Sequence, residues 1–126
     1  MITIDARSSK PIFEQIVDGI KENIVKGILT PGQKIPSIRE MSRLLTVNPN
    51  TVSKAFAELE RQRVIETIAG RGTFVSSGYK PRIDEDRLHK IKSSLKDIVV
   101  EAHYIGLDKE GIINIIKQIY SDIEGK

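Results

Sequence analysis

The chain has 126 residues, 29% of them charged and 39% hydrophobic, with 20 Lys/Arg, 17 Asp/Glu and no cysteine. That length holds one or two small domains. The missing cysteine excludes disulfides, thiolate nucleophiles and Cys-type zinc sites, and no apolar run approaches a membrane span.

The formal charge of +3 is uneven. Residues 1–78 hold 11 Lys/Arg and 8 Asp/Glu, whereas residues 79–126 hold 9 of each. The excess therefore falls on the N-terminal part, which agrees with nucleic-acid binding. The opening MITIDARSSK has no signal-peptide hydrophobic segment, so a cytoplasmic protein with no membrane partner is expected.

In chain order, Ile2-Thr3-Ile4 is a short strand candidate. Pro11 starts an amphipathic helix to about Lys26, with Phe13, Ile16, Val17, Ile20, Ile24 and Ile28 at helical spacing. Gly19 weakens it by up to about 1 kcal/mol relative to Ala. Gly27 is a stop, and Pro31-Gly32 a turn.

Ser37-Ile38-Arg39-Glu40 fits a capping box, in which the Ser hydroxyl and Glu carboxylate each satisfy a backbone N–H. Ile38, Met41, Leu44 and Leu45 make one apolar face of the helix that follows, which ends near Leu45 or Thr46. Asn48 is a good N-cap and Pro49 suits the first helical position. Val52, Ala55, Phe56 and Leu59 then form the buried side of a second helix, leaving Asn50, Thr51, Ser53 and Lys54 outside. Amides and hydroxyls beside a cation at a helix start are what a major-groove reader needs. A merely solvated helix end fits those four residues as well; the surrounding pattern favours the reader.

Val64 to Ile68 and Thr73 to Ser76 are β-branched runs around Ala69-Gly70-Arg71-Gly72, which reads as a hairpin. Gly70 and Gly72 permit positive φ and close approach to a partner backbone. Arg71 at the tip could enter a minor groove or meet a phosphate. The turn is not a P-loop, because no Gly-Lys-Ser/Thr follows and the next element is a strand. Helix, turn, helix and hairpin in this order are the layout of a winged helix-turn-helix.

Ser76 to Pro81 reads as a linker. Asp84-Glu85-Asp86 puts acid at a helix start, as the helix dipole prefers. Leu88, Ile91, Leu95, Ile98, Val99, Ala102 and Ile105 mark one stripe of that helix, and Gly106 ends it. Asp108 caps a last helix carrying Ile112, Ile113, Ile115, Ile116, Ile119, Tyr120 and Ile123. Two such helices cannot cover this face between them. A homodimer is therefore expected, with Leu95, Ile98, Ile105, Ile112, Ile115, Ile116 and Ile119 at the dimerisation surface. The competing arrangement packs the face back onto the chain's own N-terminal part.

Three linked motifs carry a family resemblance. They are Pro31 to Glu40, Val47 to Glu60 with its Val-Asn-Pro-Asn-Thr-Val-Ser-Lys-Ala-Phe, and Gly70-Arg-Gly-Thr-Phe-Val75. Together they resemble the DNA-binding domain of the GntR family of bacterial transcription regulators. The Asn-Pro-Asn-Thr-Val form with a short tail is similar to the YtrA-type subfamily. The resemblance implies DNA contacts at Ser37, Arg39, Asn48, Asn50, Thr51, Ser53, Gly70 and Arg71. It also suggests control of operons that include ABC-transporter genes. The sequence departs from the wider family at Pro49, where many members have a base-reading arginine. It departs again at Arg63, where a glycine commonly ends the recognition helix. Either Arg63 adopts a left-handed conformation, at about 1–2 kcal/mol, or the helix ends differently.

The expected fold is mainly α with a small β-hairpin. A winged helix-turn-helix over residues 1–78 is followed by a two-helix dimerisation tail over 79–126, which could also respond to an effector. The expected partners are double-stranded DNA and a second copy of the chain, with the small-molecule effector unknown. No cofactor, metal or catalytic residue is expected: His89 and His103 are too far apart in sequence for a helical metal pair, and the carboxylates are scattered. A helical adaptor and a non-specific nucleic-acid binder remain alternatives. Phe13, Phe56 and Phe74 read as core, which argues against base stacking on single-stranded RNA.

Overall fold

Pro11 sets the start of the first helix. It is the N-cap, with φ −54° and ψ 146°, and its carbonyl accepts from Gln15 N–H at 3.1 Å. In the computed structural model, which describes residues 2–78 and 83–125, the chain divides into two compact units, Met1–Tyr79 and Lys80–Lys126.

The first unit contains α1 (Ile12–Val25), β1 (Lys34–Ile35), α2 (Ile38–Leu45), α3 (Pro49–Arg61), β2 (Ile65–Ile68) and β3 (Gly72–Val75). The strands form one antiparallel sheet in the order β1-β3-β2. The expected hairpin is present, and the Lys34–Ile35 pair adds a third strand to it. Two residues of β structure leave no periodic signal, so this strand was invisible in the sequence. Register pairs Ile35 with Thr73 and Ile65 with Val75. All four are buried, so that face of the sheet meets the helices.

The core joins Ile16, Val17 and Ile20 of α1, Met41 of α2, Val52, Ala55, Phe56 and Leu59 of α3, and Ile35, Ile65 and Val75 of the sheet. Burying each of the larger side chains contributes about 1.5–3 kcal/mol. The expected face of α3 is buried in full. Three other expectations are corrected. Ile28 is 58% exposed and Leu29 is buried in its place, because the chain leaves the helix at Gly27 and turns by one residue. Leu44 is 70% exposed, and Ser42 takes the inward position on α2. Phe74 pairs with Lys34 and Glu66 on the sheet face away from the helices; Thr73 and Val75 point inward.

Ile2-Thr3-Ile4 is not a strand. The Gln15 side chain supplies the partner that a strand would have given. Its Oε1 accepts from Asp5 N–H at 2.8 Å, and its Nε2 donates to the Asp5 carbonyl at 3.0 Å. Ile2 and Ile4 still pack on the core. Gly19 makes room for this: a Cβ there would lie 3.0 Å from Ile2 Cγ2.

The second unit contains α4 (Glu85–Tyr104) and α5 (Lys109–Glu124). Asp84 caps α4 through Asp86 N–H and Arg87 N–H, and Asp108 caps α5 through Gly111 N–H. Ala102 is the single buried residue of the two helices. Leu95, Ile98, Ile105, Ile115, Ile116 and Ile119 are all exposed, and Ile112 is half-buried. This pair of helices leaves most of its isoleucine face uncovered within its own unit. None of the described helices is long and apolar enough to cross a membrane.

Candidate nucleic-acid interface

The interface is built around the turn between α2 and α3. The capping box at Ser37 is complete: Glu40 N–H donates to Ser37 Oγ at 3.1 Å, and Ser37 N–H donates to the Glu40 carboxylate at 3.3 Å. The Ser37 backbone N–H foremost, and the Ser37 hydroxyl next, hold the Glu40 carboxyl below its ordinary range. α2 therefore starts at a fixed point and presents Arg39, which is exposed, in its first turn.

α2 ends at Thr46, whose φ of 55° is left-handed, an uncommon state for a β-branched residue. Ser42 fastens the turn. Its buried hydroxyl donates to the Val47 carbonyl, and its own carbonyl accepts from Val47 N–H at 3.1 Å. Sequence reading missed Ser42, because a serine inside an amphipathic helix carries no signal of its own.

Asn48 caps α3 as expected, its Oδ1 accepting from Asn50 N–H at 2.8 Å. Asn50 and Ser53 are exposed and Thr51 is half-buried. These three side chains stand on the first turn and a half of α3, next to the turn that Ser42 ties down. Lys54 is exposed as well, but its ammonium lies 4.0 Å from the centroid of the Phe13 ring on α1. The structure thus gives it a packing partner that the sequence did not reveal.

The wing turn between β2 and β3 carries Gly70 at φ 79° and Arg71, which is exposed. Nothing lies within 4 Å of a Cβ built on Gly70, so that stretch of backbone is open to a partner. Gly72 differs. Its φ is 122°, and a Cβ there would fall 2.8 Å from Lys34 Cε. Gly72 is needed by the sheet whatever else it touches. Among the described residues, neither Arg39 nor Arg71 makes an ion pair or a side-chain hydrogen bond, and both are exposed cations. By contrast, Arg61 at the far end of α3 is bound to Glu58, its Nε donating at 2.8 Å. Arg63 has the left-handed φ of 62°, which decides between the two alternatives left by the sequence.

The described residues contain no group of three or more His, Cys, Asp or Glu that could hold a metal ion. The surface at hand consists of a capped helix start, a tied turn, amide and hydroxyl side chains, and two arginines.

Residues 12–75 match the family model described as bacterial regulatory proteins, gntR family. The chain is 48% identical over 125 residues to the HTH-type transcriptional repressor YtrA of Bacillus subtilis, covering 99% of this chain and 96% of that protein. It is similar to a crystal structure described as a transcriptional antiterminator from Listeria monocytogenes. That likeness has a TM-score of 0.90 and 44% identity, and covers 100% of this chain and 94% of the other. A crystal structure of the AraR DNA-binding domain in complex with operator ORX1 is similar at TM-score 0.54 and 29% identity, over 60% of this chain and 95% of that one.

Proposed function

The chain belongs to the GntR family of bacterial regulatory proteins, and from that premise we propose how this member acts. It is a winged helix-turn-helix DNA-binding transcription regulator. We infer that it is a repressor rather than an enzyme, that it works in the cytoplasm where the chromosome is, and that it binds a two-fold operator as a homodimer.

The observation that carries this reading is the two exposed arginines that accompany the polar start of α3, Arg39 in the first turn of α2 and Arg71 in the wing turn. Arg39 and Arg71 are exposed and without an ion pair among the described residues, and such cations suit DNA phosphates. In this reading α3 enters the major groove. Asn50, Thr51 and Ser53 meet base edges or nearby phosphates, because an amide can bond adenine through two hydrogen bonds and a hydroxyl can serve either target. Ser37 and Asn48 hold the helix starts in place and contribute contacts from there. Arg71 reaches the minor groove or backbone, and the open Gly70 lets the wing approach closely. Lys54 and Gly72 add charge and shape at the edge of this surface.

Residues 79–126 form the dimerisation tail. Its support is the set of exposed large apolar side chains that includes Leu95, Ile98, Ile115, Ile116 and Ile119; grouped exposed apolar residues mark interaction surfaces. Two winged helix-turn-helix units, the heads, related by a two-fold axis imply half-sites about 34 Å apart, or a multiple. Two measurements test the reading together. Sedimentation should give a dimer at micromolar concentration, and Arg39→Ala and Arg71→Ala should each weaken duplex binding without unfolding the chain. A monomer contradicts the assembly, and unchanged affinity in both variants contradicts the surface.

A further inference from the structure

Lys34 lies within the Pro31–Glu40 motif but is not among the residues to which that motif assigns a DNA contact. It sits on β1 opposite Phe74 of β3. Its neighbour Ile35 and the partner Thr73 point into the core, so strand alternation puts Lys34 and Gly72 together on the outer face. There the Lys34 side chain crosses β3 over Gly72. A Cβ on Gly72 would fall 2.8 Å from Lys34 Cε and 3.5 Å from Nζ, so a larger residue at 72 would evict the lysine. Gly72 borders Arg71. Lys34 also precedes the α2 N-cap Ser37 by three residues, and after the Ser37 backbone N–H and hydroxyl its charge adds a small share to holding the Glu40 carboxyl low. Lys34 is exposed and, among the described residues, makes no ion pair and no side-chain hydrogen bond.

The geometry points to Lys34 as a phosphate-binding residue that bridges the wing and the start of α2, meeting the DNA backbone between Arg71 and Arg39. This role rests on the duplex-binding reading above. A compact ammonium on a flexible stem suits a phosphate, where no planar fork is needed. Such a contact fixes the register of the head on the duplex and carries no sequence information itself. The role also gives Gly72 a purpose in DNA binding: it leaves the trough in which the lysine stem lies.

The test removes the charge and keeps the stem. Lys34→Met, Lys34→Gln and Lys34→Arg are compared with the unaltered full chain. Each is titrated against a mixed-sequence duplex of about 30 base pairs, and against a duplex enriched by selection, between 50 and 200 mM salt. The Met and Gln variants should weaken binding to both duplexes by the same factor, roughly 3–10-fold, and make the salt dependence shallower by about 0.9 in log–log slope for each head bound. Arg should restore both quantities. A purely structural lysine would lower the melting temperature and leave the slope unchanged; that result overturns the role while duplex binding itself stands. Loss confined to the enriched duplex also overturns it, since the lysine would then read bases. No affinity of the unaltered chain for either duplex removes the DNA reading and this role together.

Discussion

The ammonium of Lys54 rests 4.0 Å from the centroid of the Phe13 ring, joining α3 to α1 across the groove between them. Cation–π contacts at exposed sites contribute about 0.5–1 kcal/mol. Lys54→Gln should therefore destabilise the head by about that amount, and a Phe13→Leu background should abolish the difference. Urea unfolding of the two single variants and the double variant checks the coupling. If Lys54→Gln weakens duplex binding as strongly as Arg71→Ala, its main role lies at the DNA instead.

Arg63 closes α3 in a left-handed conformation, with φ 62° and its N–H bonded to the Glu60 carbonyl at 2.9 Å. That conformation costs a non-glycine residue about 1–2 kcal/mol, part of which a glycine gives back through its looser unfolded chain. Arg63→Gly should stabilise the head by roughly 0.5–1 kcal/mol. A shift of the denaturation midpoint to higher urea without a change of slope is the expected signature.

Glu58 accepts from Arg61 and from Gln62 Nε2, the latter at 2.7 Å. These bonds, the Arg61 one foremost, hold its carboxyl down to about 2 from an ordinary 4.5. The folded value is the depressed one, so the stabilisation is complete above the unfolded value and is lost as pH falls from about 4.5 towards 2. The pair lies at the surface, where solvent screening keeps its contribution small. In denaturation series over that window, the unaltered chain should lose stability more steeply than Glu58→Gln. Parallel pH profiles would show that the bonds to Arg61 and Gln62 contribute nothing.

Asn50 stands on the exposed start of α3 beside its cap. Asn50→Ala should cost about 1–3 kcal/mol of discrimination at one base pair and leave binding to unrelated duplexes almost unchanged. Competition between the enriched sequence and mixed DNA measures this directly. An equal loss on every sequence would make Asn50 a backbone contact.

The helices of the head were legible because their signals are redundant. Asn48-Pro49 marks a start, and Val52, Ala55, Phe56 and Leu59 mark a face, so each supports the other. Single-residue choices were not legible. Whether Ile28 or Leu29 enters the core depends on the turn after Gly27, and whether Leu44 or Ser42 does depends on the tilt of an eight-residue helix. β1 was hidden by its length, and with it the reason why Lys34 and Gly72 belong together. At the interface, the caps at Ser37 and Asn48 and the exposed arginines follow from local rules. The Lys54–Phe13 contact joins residues 41 positions apart, and no local pattern announces such a pair.

In the proposed function, α3 and the wing read a two-fold DNA sequence. The most direct test incubates the purified chain with a pool of random duplexes at about 150 mM salt, then sequences the bound fraction. An enriched inverted repeat is expected, with half-site centres about one helical turn apart or a multiple of it. Bound DNA without an enriched motif, or no bound DNA at all, would contradict it.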